Sequence, residues 1–454
     1  TAWCAPPQPP ENNDDEDFNY DPVIVVGGGG GSAKSGIPNR ISFLTLKHRN
    51  DDVKCPSNSP EIILKHETDT SPNVASCLAI NESESVLCAG FGKFATGYRI
   101  LSDGLLCLEQ FQADIAEKDS SVNSIAFQPE KQKTKGENSS LELLMLSGGE
   151  DGAVRIWALD IFSLDKLKDL VKERPQTVDP SNQSAKTKPK TIQYASLQKT
   201  GAMTSKELRA MKGHSSPICV VRWHTTSYES IVISSGKDGT CRIWDWKKVE
   251  QLICLNPSSC LSPSLSSLKS ECRSFSVSPS GNEIYCLQRI IGKGTYVTLW
   301  SLPERKNKDD FSIWVPLKSK VASNVLAAHV GIDASGQKLA VGDVEGRVTF
   351  FSAKNLAKLK TEVAHDLPIT SLSFQGCRQS DCGAVNKFDL VVGSFDNKRL
   401  SVLSSQDPKR RPAKDLVKVV FVFVVKRLLN LGFLAALFLL ISWFLGWKES
   451  LTFY

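Results

Sequence analysis

The sequence repeats itself, and the repeat decides the fold. Its clearest unit runs from Gly213 to Trp246, GHSSPICVVRWHTTSYESIVISSGKDGTCRIWDW. Gly213-His214 opens the unit, two apolar strands come next, a Gly-Lys-Asp-Gly turn interrupts them, and Trp244-Asp245 closes it. Weaker copies keep the same order over Ser76 to Ile100, Ser121 to Asp160, Arg273 to Leu302, Ala328 to Ser352 and His365 to Leu403. The apolar stretches Val23 to Val26, Ile41 to Leu46 and Glu61 to Glu67 supply most of a seventh unit, whose outstanding strand is expected near Ala2 to Cys4. A small sheet of this kind cannot bury both of its faces alone. A closed ring of such sheets does bury them and leaves only short, protected edges, so the units must come as a set.

The Gly213 to Trp246 unit resembles a WD40 repeat along its whole length, which implies an all-β, seven-bladed WD40 β-propeller over residues 1–403. In such repeats the His and the turn Asp join a Ser and the Trp in a structural hydrogen-bond network. The resemblance assigns that network to His214, Ser234, Asp238 and Trp244. It sets His66 and His365 in positions related to His214, and Asp151 and Asp396 in turns related to that of Asp238. A buried polar network of this kind specifies packing rather than chemistry. No other Ser-His-Asp or metal-binding pattern stands out in the sequence, so covalent catalysis is not expected.

Composition narrows the compartment. The 13 cysteines are odd in number and scattered, and the closest pair, Cys377 and Cys382, lacks partners at zinc spacing. Reduced cytosolic thiols are therefore expected. Much of the net charge of +6 gathers near the C-terminus, so no nucleic-acid surface is expected. The segment 162–206 is rich in Lys, Pro, Ser, Thr and Gln without apolar periodicity, and reads as an exposed, partly disordered insertion. No signal peptide opens the chain; Pro6 to Pro10 and an acidic run from Glu11 to Asp17 stand there instead.

From Leu428 to Trp447 no residue is charged, and as a helix this run would reach about 30 Å, enough to cross a bilayer core. Residues 404–427 form a basic linker before it: Lys409, Arg410, Arg411, Lys414, Lys418, Lys426 and Arg427 precede the span, and only Lys448 lies beyond it. Positive charge stays on the cytoplasmic side, so the ring is expected in the cytosol and the tail 448–454 across the membrane. The sequons beginning at Asn81, Asn138 and Asn182 are then unused. Val419 to Val425 reads as an interfacial lead-in, because extending the span over it would bury Lys426 and Arg427 at roughly 3 kcal/mol each.

One stretch departs from the repeat: VVGGGGGSAKSGIPNRISFLTL, Val25 to Leu46. Gly28 to Ser35 approaches the phosphate-loop pattern G-x-x-x-x-G-K-[ST], but Ala33 replaces its second glycine. Gly36 and Pro38 would break the helix that such a loop must enter, and the residues after Pro38 alternate like a strand. A flexible hairpin loop without a role and a structured binding loop stay open on the residues alone. The sequence VVGGGGGSAKSGIPN, set in the first blade of a propeller with a C-terminal anchor, resembles the prolactin regulatory element-binding protein family. These are endoplasmic-reticulum guanine-nucleotide exchange factors that start assembly of the COPII coat. The resemblance implies that the loop Gly27 to Asn39 projects from the propeller, is organised by a potassium ion and engages the small secretion-associated Ras-related GTPase. Carried over, the contacting residues are Ser32, Ala33, Lys34, Ser35, Gly36, Ile37, Pro38 and Asn39. Gly30, Gly31, Ser32 and Asn39 are the candidate cation donors, hard oxygens that can replace a cation's water. Coat subunits are further possible partners. The rival expectation is a membrane-tethered WD40 scaffold without exchange activity.

Overall fold

The unit around Gly213 alternates turn residues with short apolar runs, and each run becomes a strand. In the computed structural model, which describes residues 2–4, 23–29, 38–47, 61–83, 85–101, 104–129, 142–161, 203–224, 230–303, 313–374, 390–394 and 400–404, the strands form seven antiparallel sheets within the unit Thr1–Ser405. Blade 1 is β1 (Ala2–Cys4), β2 (Val23–Gly28), β3 (Arg40–Lys47) and β4 (Glu61–Asp69). Blade 2 is β5 (Cys77–Asn81), β6 (Val86–Phe91), β7 (Phe94–Leu101) and β8 (Gly104–Gln112). Blade 3 is β9 (Val122–Phe127), β10 (Glu142–Gly149), β11 (Ala153–Ile161) and β12 (Met203–Lys212). Blade 4 is β13 (Ile218–Trp223), β14 (Ile231–Gly236), β15 (Cys241–Asp245) and β16 (Glu250–Leu255). Blade 5 is β17 (Ser270–Val277), β18 (Glu283–Ile290), β19 (Gly294–Ser301) and β20 (Val315–Ser323). Blade 6 is β21 (Ala327–Ile332), β22 (Lys338–Asp343), β23 (Arg347–Ser352) and β24 (Lys358–Val363). Blade 7 has three described strands, β25 (Ile369–Phe374), β26 (Leu390–Ser394) and β27 (Leu400–Leu403).

The first strand of each blade is the innermost. The seven first strands neighbour one another in chain order, and β1 lies beside both β5 and β25, so the ring closes. The expected strand near Ala2 is β1, paired antiparallel with β2 through Ala2–Val25, Trp3–Ile24 and Cys4–Val23. The chain thus builds a seven-bladed β-propeller whose blades each come from consecutive strands.

Burial explains why the second strands read as unbroken apolar runs. Every residue of VLCAGF in β6 and of IVISSG in β14 is buried, because neighbouring blades cover both faces of the sheet. Outer strands such as β24 are largely exposed. A register shift recurs between the third and fourth strands of six blades, just before Leu44, Tyr98, Trp157, Trp244, Trp300 and Phe351. The Trp of the WD signature therefore has positional equivalents in blades whose sequences do not show it. A bulge placed alike in each blade adds the same local twist to each sheet.

The boundary of the long insertion differs from expectation. Strand β12 begins at Met203, so residues 203–206 belong to blade 3 rather than to the insertion 162–206. Met203 decides this: it is almost fully buried in the cluster shared by blades 2 and 3, next to Gly97, where an added Cβ would lie 2.7 Å from its Cε. Residues 162–202 lie outside the described residues. So does 428–447; among the described residues no helix is long and apolar enough to cross a membrane.

Blade 1 meets blade 7 through a small apolar cluster. Ile24 on β2 and Val391 on β26 are both fully buried, with Val26, Leu44, Leu400 and Val402 packed around them. Truncating Ile24→Ala should cost about 2–5 kcal/mol by chemical denaturation, the usual range for a buried aliphatic side chain whose loss relaxation does not make good. Leu64→Ala on the exposed face of β4, where Leu64 is 52% exposed, should stay within about 0.5 kcal/mol of the parent. Equal costs would show that the closure cluster does not carry the ring.

Candidate functional site

Two features stand out from the repeat: the polar network of blade 4 and the glycine-rich connection of blade 1. The network flanks the link between the second and third strands of its blade, and the described stem of the connection leads into the same link of blade 1, so network and stem lie toward one face of the ring.

In blade 4, His214 stands ahead of the innermost strand, Ser234 on β14, Asp238 in the turn and Trp244 on β15. His214 Nδ1 lies 2.9 Å from Asp238 Oδ2, and its Nε2 lies 2.8 Å from Ser234 Oγ. Trp244 Nε1 donates to the same Ser234 Oγ at 2.9 Å. The turn closes because Gly239 adopts a φ of +82°, a conformation that favours glycine, while Asp238 Oδ1 accepts from Thr240 N at 3.0 Å and Thr240 Oγ1 at 2.7 Å. The four residues expected to form the network do meet.

The connectivity is Ser-His-Asp, yet these groups cannot perform acyl transfer as placed. Ser234 is fully buried, and its oxygen is already engaged by Trp244 and His214, so no substrate carbonyl can approach it. Burial opposes ionisation of Asp238, but the hydrogen bonds from His214 and Thr240 outweigh it and hold the carboxyl well below its ordinary range.

Other blades keep parts of this arrangement. In blade 3, Trp157 Nε1 donates to Ser147 Oγ at 2.9 Å, and Asp151 pairs with the buried Arg155 at 2.5 Å. Burial works against the charge of Asp151, and Arg155 more than compensates, lowering its pKa. The buried Asp114 lies against Gly149 as His214 lies against Gly236, but it does not link the serine to the turn: Ser147 Oγ donates to the carbonyl of Ala113 at 3.5 Å. Asp114 accepts from Ala116 N and Ser120 Oγ, both at 2.8 Å, and its other oxygen lies 3.4 Å from Asp151 N. Sequence reasoning missed Asp114 and Arg155; the recurrence of Asp-Gly-x-x-Arg at Asp151 and Asp238 would have found the second. His365 does precede the innermost strand of its blade, but Val392 occupies the position of Ser234, and His365 Nε2 lies 3.2 Å from the backbone carbonyl of that residue instead. His66 does not occupy a related position. It lies on β4 itself, ahead of the turn at 70–76, with Nε2 3.0 Å from Thr68 Oγ1. Asp396 lies outside the described residues. In blade 5, Cys286 stands where Ser234 stands in blade 4, and the buried Trp300 Nε1 has no hydrogen-bond partner among the described residues.

The glycine-rich connection rises from a paired stem. β2 and β3 pair through Gly27–Ile41 and Gly28–Arg40. Asn39 is 3% exposed, its carbonyl accepts from Thr70 N at 2.9 Å, and its side-chain oxygen would lie 2.0 Å from any Cβ on Gly29. Only glycine fits opposite Asn39 at that point. Arg40 pairs with Glu67, to which Ser42 Oγ also donates at 3.2 Å, tying the stem to the outer strand. Pro38 is exposed. Of the candidate contacting and cation-donor residues, Gly30, Gly31, Ser32, Ala33, Lys34, Ser35, Gly36 and Ile37 lie outside the described residues. The chain resumes after the loop as strand β3, not as the helix that a phosphate loop requires. Asn39, buried with its side-chain oxygen turned toward Gly29, suits a hard-cation donor at the loop's base.

Comparison with known proteins agrees with the fold. The family model described as "WD domain, G-beta repeat" matches residues 105–158 and 205–245, which take in the third strands and signature turns of blades 3 and 4. The chain is also similar to restriction of telomere capping protein 1 of Kluyveromyces lactis, 26% identical over 150 residues. That match covers 29% of this chain and 10% of the relative, so the chain spans about a tenth of that protein's length.

The blade 4 network makes an acid-stability prediction. Asp238 is depressed in the folded state, so its contribution is fully present above the unfolded carboxyl value of about 3.9 and is lost as pH falls toward the depressed value. Asp238→Asn should cost roughly 1–3 kcal/mol at pH 7 and flatten the loss of stability below about pH 4. An unchanged acid limb in denaturation curves would show that the pair does not contribute.

Proposed function

We propose that this chain is a membrane-anchored guanine-nucleotide exchange factor for a small Ras-related GTPase, acting at the endoplasmic reticulum to start COPII coat formation. The observation that carries the reading is the placement of the glycine-rich loop: it springs from a hydrogen-bonded stem in blade 1, fastened by Asn39 to the adjacent turn, and it runs on into a strand. A loop held at both ends is suited to press on a partner protein. Exchange needs no covalent chemistry from this chain. A surface that binds the GTPase more tightly when its site is empty must, by linkage, weaken the GDP held there. GTP then enters by mass action. Anchorage through residues 428–447 would confine the activated GTPase to one membrane and raise the frequency of productive encounters. A bound potassium ion, held by loop carbonyls and Asn39, would stiffen the loop.

A scaffold without exchange activity is the second reading. It is favoured by the WD40 repeats themselves and by polar networks that rigidify the ring without presenting chemistry. Release of fluorescent GDP from the purified GTPase separates the two. With the full-length protein added, release should accelerate, and replacing residues 32–37 by a Gly-Ser linker, which keeps Asn39 and the stem, should reduce that acceleration at least about tenfold, or 1.4 kcal/mol. Exchanging potassium for sodium should lower the rate as well. Binding without acceleration would establish the scaffold. Nucleotide binding by this chain alone, lost in Lys34→Ala, would overturn both readings.

A further inference from the structure

The innermost strands face the ring's central channel, and three successive ones bring nitrogen bases to it. On β13, Arg222 is exposed while its strand neighbours Val221 and Trp223 are buried. An exposed side chain on an innermost strand that is flanked by blades on both sides opens to the channel. Arg273 on β17 and His329 on β21 are half-buried in the next two blades. Arg222 and Arg273 both act electrostatically on His329, and Arg222 also acts on Cys77 of β5, two blades away on the other side.

Charge is not balanced in this sector. Glu271 is the only carboxylate within ion-pair distance of these three groups among the described residues, and it is shared, at 3.4 Å from Arg273 Nη1 and 3.5 Å from Arg289 Nη1. Arg222 has no carboxylate within ion-pair distance among the described residues; its Nη1 donates to the carbonyl of Val221 at 3.3 Å. Loss of bulk water disfavours the charged form of Arg222. The same desolvation, with nearby positive charge that includes both guanidiniums, pushes the His329 imidazole down to about 4, so at neutral pH it is an uncharged hydrogen-bonding group. Arg222 thus lacks a carboxylate and Arg273 shares one with Arg289, and a guanidinium fork with charge to spare is matched in shape and charge by a tetrahedral oxyanion.

We propose that the channel is an anion site in which Arg222, Arg273 and His329 hold a phosphate-class oxyanion between blades 4, 5 and 6. The site is separate from the glycine-rich loop of blade 1 and stands or falls independently of the exchange reading. Occupancy couples three blades through one ligand, so the anion acts as a pin for that side of the ring.

The test uses the full-length protein in detergent, titrated with inorganic phosphate against chloride at constant ionic strength, with thermal unfolding and calorimetry as readouts. Phosphate should raise the unfolding temperature in a saturable way and give heats that fit one site per chain. Arg222→Gln and Arg273→Gln should each weaken phosphate binding at least about tenfold, as expected for loss of one charge-assisted contact. Lys318→Gln, on the exposed outer strand β20, should leave binding unchanged. Two arginine variants keep the test decisive should one fail to fold. No saturable heat, or equal phosphate binding by the parent and the folded arginine variants, would overturn the proposal.

Discussion

Mutual burial between neighbouring blades is the condition on which everything else rests. A sheet such as β13 to β16 exposes its second strand on both faces when it stands alone, and IVISSG carries apolar side chains on both faces. Only a neighbour on each side removes that surface, and only a closed ring gives every blade two neighbours. The junction of blades 1 and 7 is therefore the critical contact. Among the described residues it is also the leanest, with Ile24 and Val391 as its fully buried members, whereas blades 2 and 3 share a cluster that runs from Ala79 to Met203.

The loop proposed to act on a GTPase belongs to the blade that makes this junction. Val25 and Ile41 pack toward blade 2, Ile24 packs toward blade 7, and the same two strands continue into the loop's stem. Closure of the ring thus fixes the stem from both sides. Asn39 adds the local fastening, because it occupies the space that Gly29 leaves free and bonds to Thr70 in the next turn. Packing of the ring and presentation of the loop are one problem in this arrangement.

Much of the fold is legible in the sequence because it repeats. Strands in blades 3 and 4 carry the WD signature, and the network of His214, Ser234, Asp238 and Trp244 forms as the signature implies. Legibility fails where tertiary contacts override local pattern. Met203 reads as the end of a polar insertion, but one buried side chain makes it the first residue of an outer strand. His66 reads as a repeat histidine, yet its register puts it on an outer strand. The channel arginines are invisible because an inner strand reads as apolar whichever way its exposed residue points. The loop is legible through its glycines, and only the close approach of Asn39 to Gly29 shows why one of them is required.

Native-state hydrogen exchange at the loop's base tests most directly whether the ring holds that stem rigid. The Thr70 amide, which donates to Asn39, and the stem amides of Gly28 and Arg40 should exchange only through openings as costly as those that release the core strand amide of Val232. Stem amides that exchange as freely as an unstructured segment, while Val232 stays protected, would contradict the account.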